Sequence, residues 1–354
     1  MTVDYIGRRA AMQNESNLLA APPTTAGLAA RLAVAQLERR SIDPAPLLAQ
    51  SGLSPSALAE RKRISANSQI RFLELVSEAT KDEWIGLTLS EGFDLRELGM
   101  LYYVAASSQR LGDALRRLAR YARVANEALL VTLHKGSACR VDLAYAGVPR
   151  HLDRHQIELL AAIFLRLCRH LVGQRLVPLS VQFVHHRSRG LNRIRGVLGC
   201  EVEFDAHADE ISFTATITEL PLVGDDPFLN ELMEKDCEAA MAERPANVSP
   251  FRTIVENIIA PLLPHAEAQA STVAKRLGLS ERTFARRLAA EALSFGEILD
   301  ELRRDLAALH LQRSDLQIAQ IAWRLGFHQP SSFSHACRRW FGKSPLAYRR
   351  SLLG

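Results

Sequence analysis

The sequence predicts an α+β N-terminal domain, with helices around a small sheet, followed by an all-α C-terminal domain that carries two helix-turn-helix units. Three observations predict it. The chain has 354 residues, more than one compact domain usually holds. Its hydrophobic periodicity is mixed up to about residue 243 and purely helical from about residue 251. Between the two patterns, Arg244-Pro245-Ala246-Asn247-Val248-Ser249-Pro250 holds two prolines in a short polar stretch, which reads as a linker. The expected division is a flexible leader over 1–24, a first domain over 25–243, a linker over 244–250 and a second domain over 251–354.

Composition bounds the chemistry. Hydrophobic residues make up 47% and charged residues 23%, as in an ordinary globular chain that builds its core without metals or disulfides. The five cysteines, Cys139, Cys168, Cys200, Cys237 and Cys337, are scattered and form no CxxC pair. Neither a disulfide framework nor a zinc site is expected, and a reducing cytoplasm fits best. No apolar run of membrane-spanning length occurs. Asp4, Arg8, Arg9 and Glu15 interrupt the N-terminus, which lacks the apolar stretch of a secretory signal. The net charge is +5, but it is unevenly placed: from Phe251 onward 15 Lys and Arg face 9 Asp and Glu. The basic surplus therefore lies wholly in the second domain, which suits a polyanionic partner.

The elements follow in order. From Gly27 to about Val124 the pattern is helical, with Leu28, Leu32, Ala35 and Leu37 on one face and Leu111, Leu115, Leu118 and Tyr121 on another. Leu129 to His134 and Cys139 to Tyr145 flank Lys135-Gly136-Ser137 as a hairpin. A helix is expected over Arg154 to Val172. Strands are expected over Leu179 to Val184, Val202 to Phe204 and Ile211 to Phe213, and another helix over Asp226 to Glu243.

The second domain repeats itself. Val273-Ala274-Lys275-Arg276-Leu277-Gly278-Leu279-Ser280 resembles Ile321-Ala322-Trp323-Arg324-Leu325-Gly326-Phe327-His328. In a helix-turn-helix the two helices cross closely, so a small residue is needed, and Ala274 and Ala322 supply it. The turn needs positive φ, which Gly278 and Gly326 adopt at little cost. Leu279 and Phe327 would plug the corner, and Ser280 would cap the next helix. Phe284 and Leu288 would anchor one second helix; Phe333, Ala336, Cys337 and Trp340 would anchor the other. An amphipathic helix over about Phe295 to Gln312, with Ile298, Leu302, Leu306 and Leu309 on one face, would connect the units.

Other chemistry finds little support. No nucleophile elbow, phosphate loop or dinucleotide fingerprint occurs. His151 and His155, with Asp153 near, are too few for a metal site. His185-His186 reads as structural, Cys168 and His170 point to different helix faces, and Trp84, Phe93, Tyr102 and Tyr103 read as core sooner than as the lining of an effector pocket.

The run Ile318 to Phe327, its continuation from Ser331 to Phe341, Gly342-Lys343-Ser344-Pro345 and Tyr348-Arg349-Arg350 resemble the AraC/XylS family of bacterial regulators. Leu111 to Tyr121, Val181 to His185 and Val202 to Phe213 resemble the branch of the ornithine utilisation regulators, whose first domain is called arabinose-binding-like. The resemblance implies a sequence-specific transcription regulator, a ligand-responsive activator, that is not an enzyme. Its helix-turn-helix units would span about 271–290 and 318–341. It would read double-stranded promoter DNA through Arg282, Thr283 and Arg286 of one recognition helix and Ser331, Ser332 and His335 of the other. Arginine pairs a guanine edge with two parallel bonds. Ser280, Arg287, Arg338, Arg339 and Lys343 would hold phosphates. RNA polymerase, an unknown small-molecule effector and a second copy of the chain are the implied partners. No cofactor, metal or membrane is implied, and the place of action is the cytoplasm, at the nucleoid.

Three departures from the family pattern carry expectations. His335 replaces a frequent arginine, so bidentate guanine readout is lost there. His328 replaces a frequent capping Ser or Asp. Ala292 replaces a frequent glycine in the turn after the first recognition helix. The second unit is therefore expected to add affinity more than specificity. Three alternatives remain at this level: a repressor, a first domain that only dimerises, and a repair enzyme using a reactive cysteine.

Overall fold

The computed structural model describes residues 23–145, 148, 152–243, 251–312 and 316–353. The linker expected over 244–250 lies outside the described residues, as do His151 and the leader up to residue 22. Thr24 already pairs in a strand, so the first domain starts at least one residue earlier than expected.

Strand β1 (Thr24–Thr25) pairs antiparallel with β2 (Ile64–Ser65) and encloses α1 (Leu28–Arg39), α2 (Ala45–Ser51) and α3 (Pro55–Ala59). Helices α4 (Ala66–Thr80), α5 (Ile85–Glu91), α6 (Met100–Ala106) and α7 (Leu111–Ala125) follow. In α7 the expected face is the buried one: Leu111, Leu115, Leu118 and Tyr121 all point inward. In α1 it is not. Ala29, Ala30, Ala33 and Leu37 are buried, whereas Leu28, Leu32 and Ala35 are only half-buried. Alanines take three of the four inward places and Leu37 the fourth, and apolar pattern alone does not show which face that is.

The hairpin forms as β3 (Leu129–Lys135) and β4 (Ala138–Tyr145), in register from Leu129 opposite Tyr145 to Lys135 opposite Cys139. Helix α8 (Arg154–Val172) is buried along most of its length. After it come β5 (Ser180–Gln182), α9 (Leu191–Leu198), β6 (Val202–Glu203), β7 (Asp209–Thr214) and α10 (Pro227–Ala242). The sheet order is β3-β4-β7-β5-β6, with only the β5–β6 pair parallel. Asp226 caps α10, accepting from Leu229 N–H at 3.0 Å.

A buried ionic network ties α4, α8 and the end of β5 together. Glu158 accepts Arg187 Nε at 2.7 Å, Arg187 Nη2 at 2.8 Å and His185 Nε2 at 2.9 Å. Burial alone would raise the Glu158 carboxyl; Arg187 and His185 outweigh it and hold the group far below the usual carboxylate range. Likewise burial opposes ionisation of Glu74, yet His155 and Arg154 lower it to about 2. Trp84, under Arg187 at 4.4 Å, and Phe93 are core residues, while Tyr103 is exposed and Tyr102 bonds His170 at 3.0 Å.

The second domain has its own core, centred on Val255, Ile259, Phe284, Ile298, Leu302, Ile321 and Phe333. Its elements are α11 (Phe251–Ile259), α12 (Ala270–Arg276), α13 (Glu281–Ala290), α14 (Phe295–Leu311), α15 (Ile318–Arg324), α16 (Pro330–Phe341) and α17 (Pro345–Leu353). Polar contacts join it to the first domain. Asn257 donates to the Tyr145 and Val148 carbonyls at 3.2 and 3.1 Å, Arg324 pairs with Asp205, and the rings of His207 and His265 stack 4.0 Å apart.

Candidate nucleic-acid interface

Each helix-turn-helix unit forms for the reasons its sequence supplies. Ala274 and Ala322 are buried where the helices cross. Gly278 and Gly326 take φ of 67° and 71°. They differ in surroundings: a Cβ on Gly278 would meet nothing within 4 Å, but one on Gly326 would lie 2.9 Å from the Leu263 carbonyl oxygen. The first turn of α13 is capped by Ser280, which accepts from Thr283 N–H at 3.2 Å. The second unit corrects the expectation at His328. The capping position of α16 is Gln329, one residue later, and no side chain caps it. The second turn is thus one residue longer than the first, and Pro330 enters at the first helical position, where its missing N–H costs nothing.

Ala292 has φ of 55°. The turn after α13 therefore keeps the left-handed geometry that glycine would supply, with alanine carrying the strain. Helix α14 then starts in a capping box: Ser294 accepts Glu297 N–H at 3.3 Å while Glu297 accepts Ser294 N–H at 2.9 Å. Its 17 residues rise about 1.5 Å each, so it spans roughly 25 Å.

Counted from their starts, α13 and α16 match position by position. The fourth residues, Phe284 and Phe333, and the eighth, Leu288 and Cys337, are buried. The second, third and sixth are Arg282, Thr283 and Arg286 in α13, and Ser331, Ser332 and His335 in α16. Thr283 is half-buried and the other five are exposed. Arg282 and Arg286 project from α13 and form no ion pair among the described residues. The hydroxyls of Ser280 and Thr283 lie 3.0 Å apart and satisfy each other locally. Arg287 lies 4.9 Å over the Phe251 ring, turned back toward its own domain. In the second unit Arg338 and Lys343 are exposed, whereas Arg339 pairs with Asp300 of the connector and lies 5.7 Å over Trp340.

Three polar residues escaped sequence reasoning. Arg303 of α14 donates to the carbonyls of Leu325 and Gly326 at 2.8 and 3.1 Å and stacks on Phe327 at 4.8 Å. Burial lowers its pKa, the direction expected for a guanidinium used as a structural strut. Asp300 accepts Trp340 Nε1 at 2.8 Å. Together they fasten the second unit to the connector. Arg324 matches Arg276 in the repeat but not in role: Arg276 is exposed, while Arg324 crosses to Asp205. Nothing in the sequence distinguishes the two.

The thiols are poor nucleophiles. Burial pushes Cys168 and Cys337 up to about 12 and Cys237 up to about 11, and it raises Cys139 and Cys200 as well. That environment disfavours the cysteine-dependent repair alternative. Among the described residues no cluster of three His, Cys, Asp or Glu has metal-binding spacing, and no helix is long and apolar enough to cross a membrane.

Two recognition helices on one connector, with a basic exposed face, define a DNA-binding transcription regulator. Comparison with known proteins places it further. Residues 42–222 match the arabinose-binding domain of AraC transcription regulator, and residues 273–351 match a helix-turn-helix domain. The chain belongs to the AraC family. It is 28% identical over 313 residues to the HTH-type transcriptional regulator VirS of Mycobacterium tuberculosis, covering 87% of this chain and 91% of that protein. It is 27% identical over 321 residues to the ornithine utilization regulator of Pseudomonas aeruginosa, covering 86% and 93%. The crystal structure of the transcriptional regulator CdpR from Pseudomonas aeruginosa is similar at 22% identity and a TM-score of 0.41, covering 87% of this chain and 96% of that one.

Proposed function

We propose that this regulator reads two successive major grooves from one face of promoter DNA and activates transcription in response to a small-molecule effector. The observation that carries the reading is the positional match of α13 and α16 on a single connector helix. Arg282, Thr283 and Arg286 contact bases in one groove, with Arg286 reading a guanine edge. Ser331, Ser332 and His335 contact the next groove with single rather than paired bonds. Ser280, Arg287, Arg338, Arg339 and Lys343 hold the backbone. Arg287 and Arg339 suit that task because their guanidinium groups are already steadied by Phe251, Asp300 and Trp340. A connector of roughly 25 Å, tilted across the duplex, suits the ~34 Å repeat of successive grooves.

The first domain senses the effector and pairs with a second copy, and the bound complex recruits RNA polymerase in the cytoplasm, at the nucleoid. Transcription in vitro with RNA polymerase and the chain's own promoter tests the sign. A rise in transcript on adding protein and effector supports activation; a fall identifies a repressor. Methylation interference at guanine N7 tests the readout. Blocked guanines should cluster under the first unit, and equal clusters under both units would contradict the division of labour.

A further inference from the structure

The two helix-turn-helix units differ at one matching position. Arg276 of the first is exposed and forms no ion pair among the described residues. Arg324 of the second is turned inward, and its guanidinium pairs with Asp205 of the first domain. Asp205 sits on the short turn between β6 and β7. Two backbone bonds hold that turn: Asp205 N–H donates to the His185 carbonyl at 3.3 Å, and Ala206 N–H to the Phe183 carbonyl at 3.0 Å. The φ of Asp205 is 61°, a left-handed backbone that aspartate tolerates better than most residues but that still costs free energy. One carboxylate oxygen faces Arg324 Nη1, and the other lies 3.0 Å from His186 Nδ1. Burial alone would raise the carboxyl; His186 and Arg324 outweigh it and hold it below its ordinary value. Exposed ion pairs contribute little because both side chains must be frozen to make them. Here His186 already fixes the carboxylate, and the side chains of Asp205 and Arg324 are only 30% and 19% exposed. Two residues on, the ring of His207 stacks on His265 of the second domain at 4.0 Å.

We propose that Asp205 is a positioning residue for DNA recognition: through Arg324 it fixes the angle at which the second recognition helix, α16, meets its groove. The route is short and packed. Arg324 is the last residue of α15. Ile321 and Ala322 of α15 are buried in one core with Phe333 and Cys337 of α16, and Phe327 in the turn packs on Phe333 at 5.6 Å. A close-packed core transmits a displacement rather than absorbing it. The next carbonyls along the chain, those of Leu325 and Gly326, are held by Arg303. The turn is thus gripped by the connector on one side and by the first domain on the other. Helix α16 needs that grip more than α13 does. Its recognition positions carry Ser331, Ser332 and His335, and such short side chains reach a base edge only when the helix is seated closely. Arg282 and Arg286 of α13 are long enough to span a gap.

This assignment rests on the two-groove reading above, and the test separates the two. The full chain is titrated by fluorescence anisotropy on two duplexes: its promoter site, and the same duplex shortened to end before the stretch under the second unit. Shortening is expected to weaken the parent by about tenfold or more, because base and phosphate contacts are lost together. Asp205→Asn keeps the size and the tolerance of a left-handed backbone but removes the charge; Arg324→Gln removes the charge from the other side. Each is expected to weaken binding to the long duplex about tenfold and to the short one less than about twofold, and the double variant should bind no more weakly than either single one. Arg324→Lys, which keeps a cation facing Asp205, should bind the long duplex within about threefold of the parent. Tm measured on the same samples identifies a variant that fails to fold, and the other then decides. A contact that only stabilises the fold would lower Tm and leave the ratio of the two affinities as in the parent. An unchanged ratio in the single variants, or losses that add in the double variant, overturns the proposal. A parent that binds both duplexes alike sinks the two-groove reading itself, and the proposal with it.

Discussion

In the first helix-turn-helix unit Arg282 and Arg286 of the recognition helix face solvent; in the second, Arg303, Asp300 and Arg324 around the recognition helix are occupied in holding the unit in place. Arg282 and Arg286 are exposed on α13, and aromatic contacts of Phe284 with Phe251 and Phe295 seat that helix. The second unit is fastened by Arg303 and Asp300 to the connector and by Arg324 to the first domain. The recognition positions of α16 hold two serines and a histidine. One scaffold, repeated, thus separates two tasks: a free unit suited to reading sequence, and a tethered unit suited to docking and to receiving a signal from the first domain.

The comparison can be broken most forcefully at the turns. Gly326→Ala adds a Cβ against the Leu263 carbonyl as well as left-handed strain, so it should cost about 3 kcal/mol of stability. Gly278→Ala meets open space and should cost about 1 kcal/mol. Equal losses in urea unfolding would show that the units are not packed differently. Arg286→Ala should weaken specific binding by ~1–3 kcal/mol and relax preference at one base pair, against less than ~1 kcal/mol for His335→Ala. Anisotropy titrations on the site and on single-base variants check this; equal losses on all sequences would reassign Arg286 to phosphate.

Smaller effects sharpen the contrast. Gln329→Ser supplies the side-chain cap α16 lacks and should stabilise the domain by ~0.5–1 kcal/mol, whereas Ser280→Ala should destabilise by about 1 kcal/mol. Thermal unfolding that responds the same way to both would refute the difference in capping. Ala292→Gly relieves a positive φ and should raise stability by roughly 0.5–1 kcal/mol. Lys343→Ala should lower the slope of log K against log salt by ~0.9 and change nothing in sequence preference. An unaltered slope would remove Lys343 from the backbone contacts.

Most of the scaffold was legible because it follows from local rules. Ala-x-x-x-Gly spacing, a capping serine and helical periodicity reveal both units, and alternation around Gly136 reveals the hairpin. What escaped depends on tertiary proximity. The inward face of α1 is hidden because its three alanines carry a weaker hydrophobic signal than the half-buried Leu28 and Leu32. The capping position of α16 was misplaced because a one-residue insertion in a turn leaves the flanking motif intact. Arg303, Asp300 and Arg324 read as ordinary surface charges until the fold brings them beside Leu325, Trp340 and Asp205. At the candidate interface the sequence indicates which side chains face outward, but not that Arg287 and Arg339 have already been steadied by their neighbours.

Hydroxyl-radical footprinting of the full chain on its promoter tests most directly whether one molecule spans neighbouring grooves. Two protected patches on the same face of the duplex, about ten base pairs apart, are predicted, with Arg286→Ala erasing the patch under the first unit and sparing the other. A single patch, or two patches on opposite faces, would contradict it.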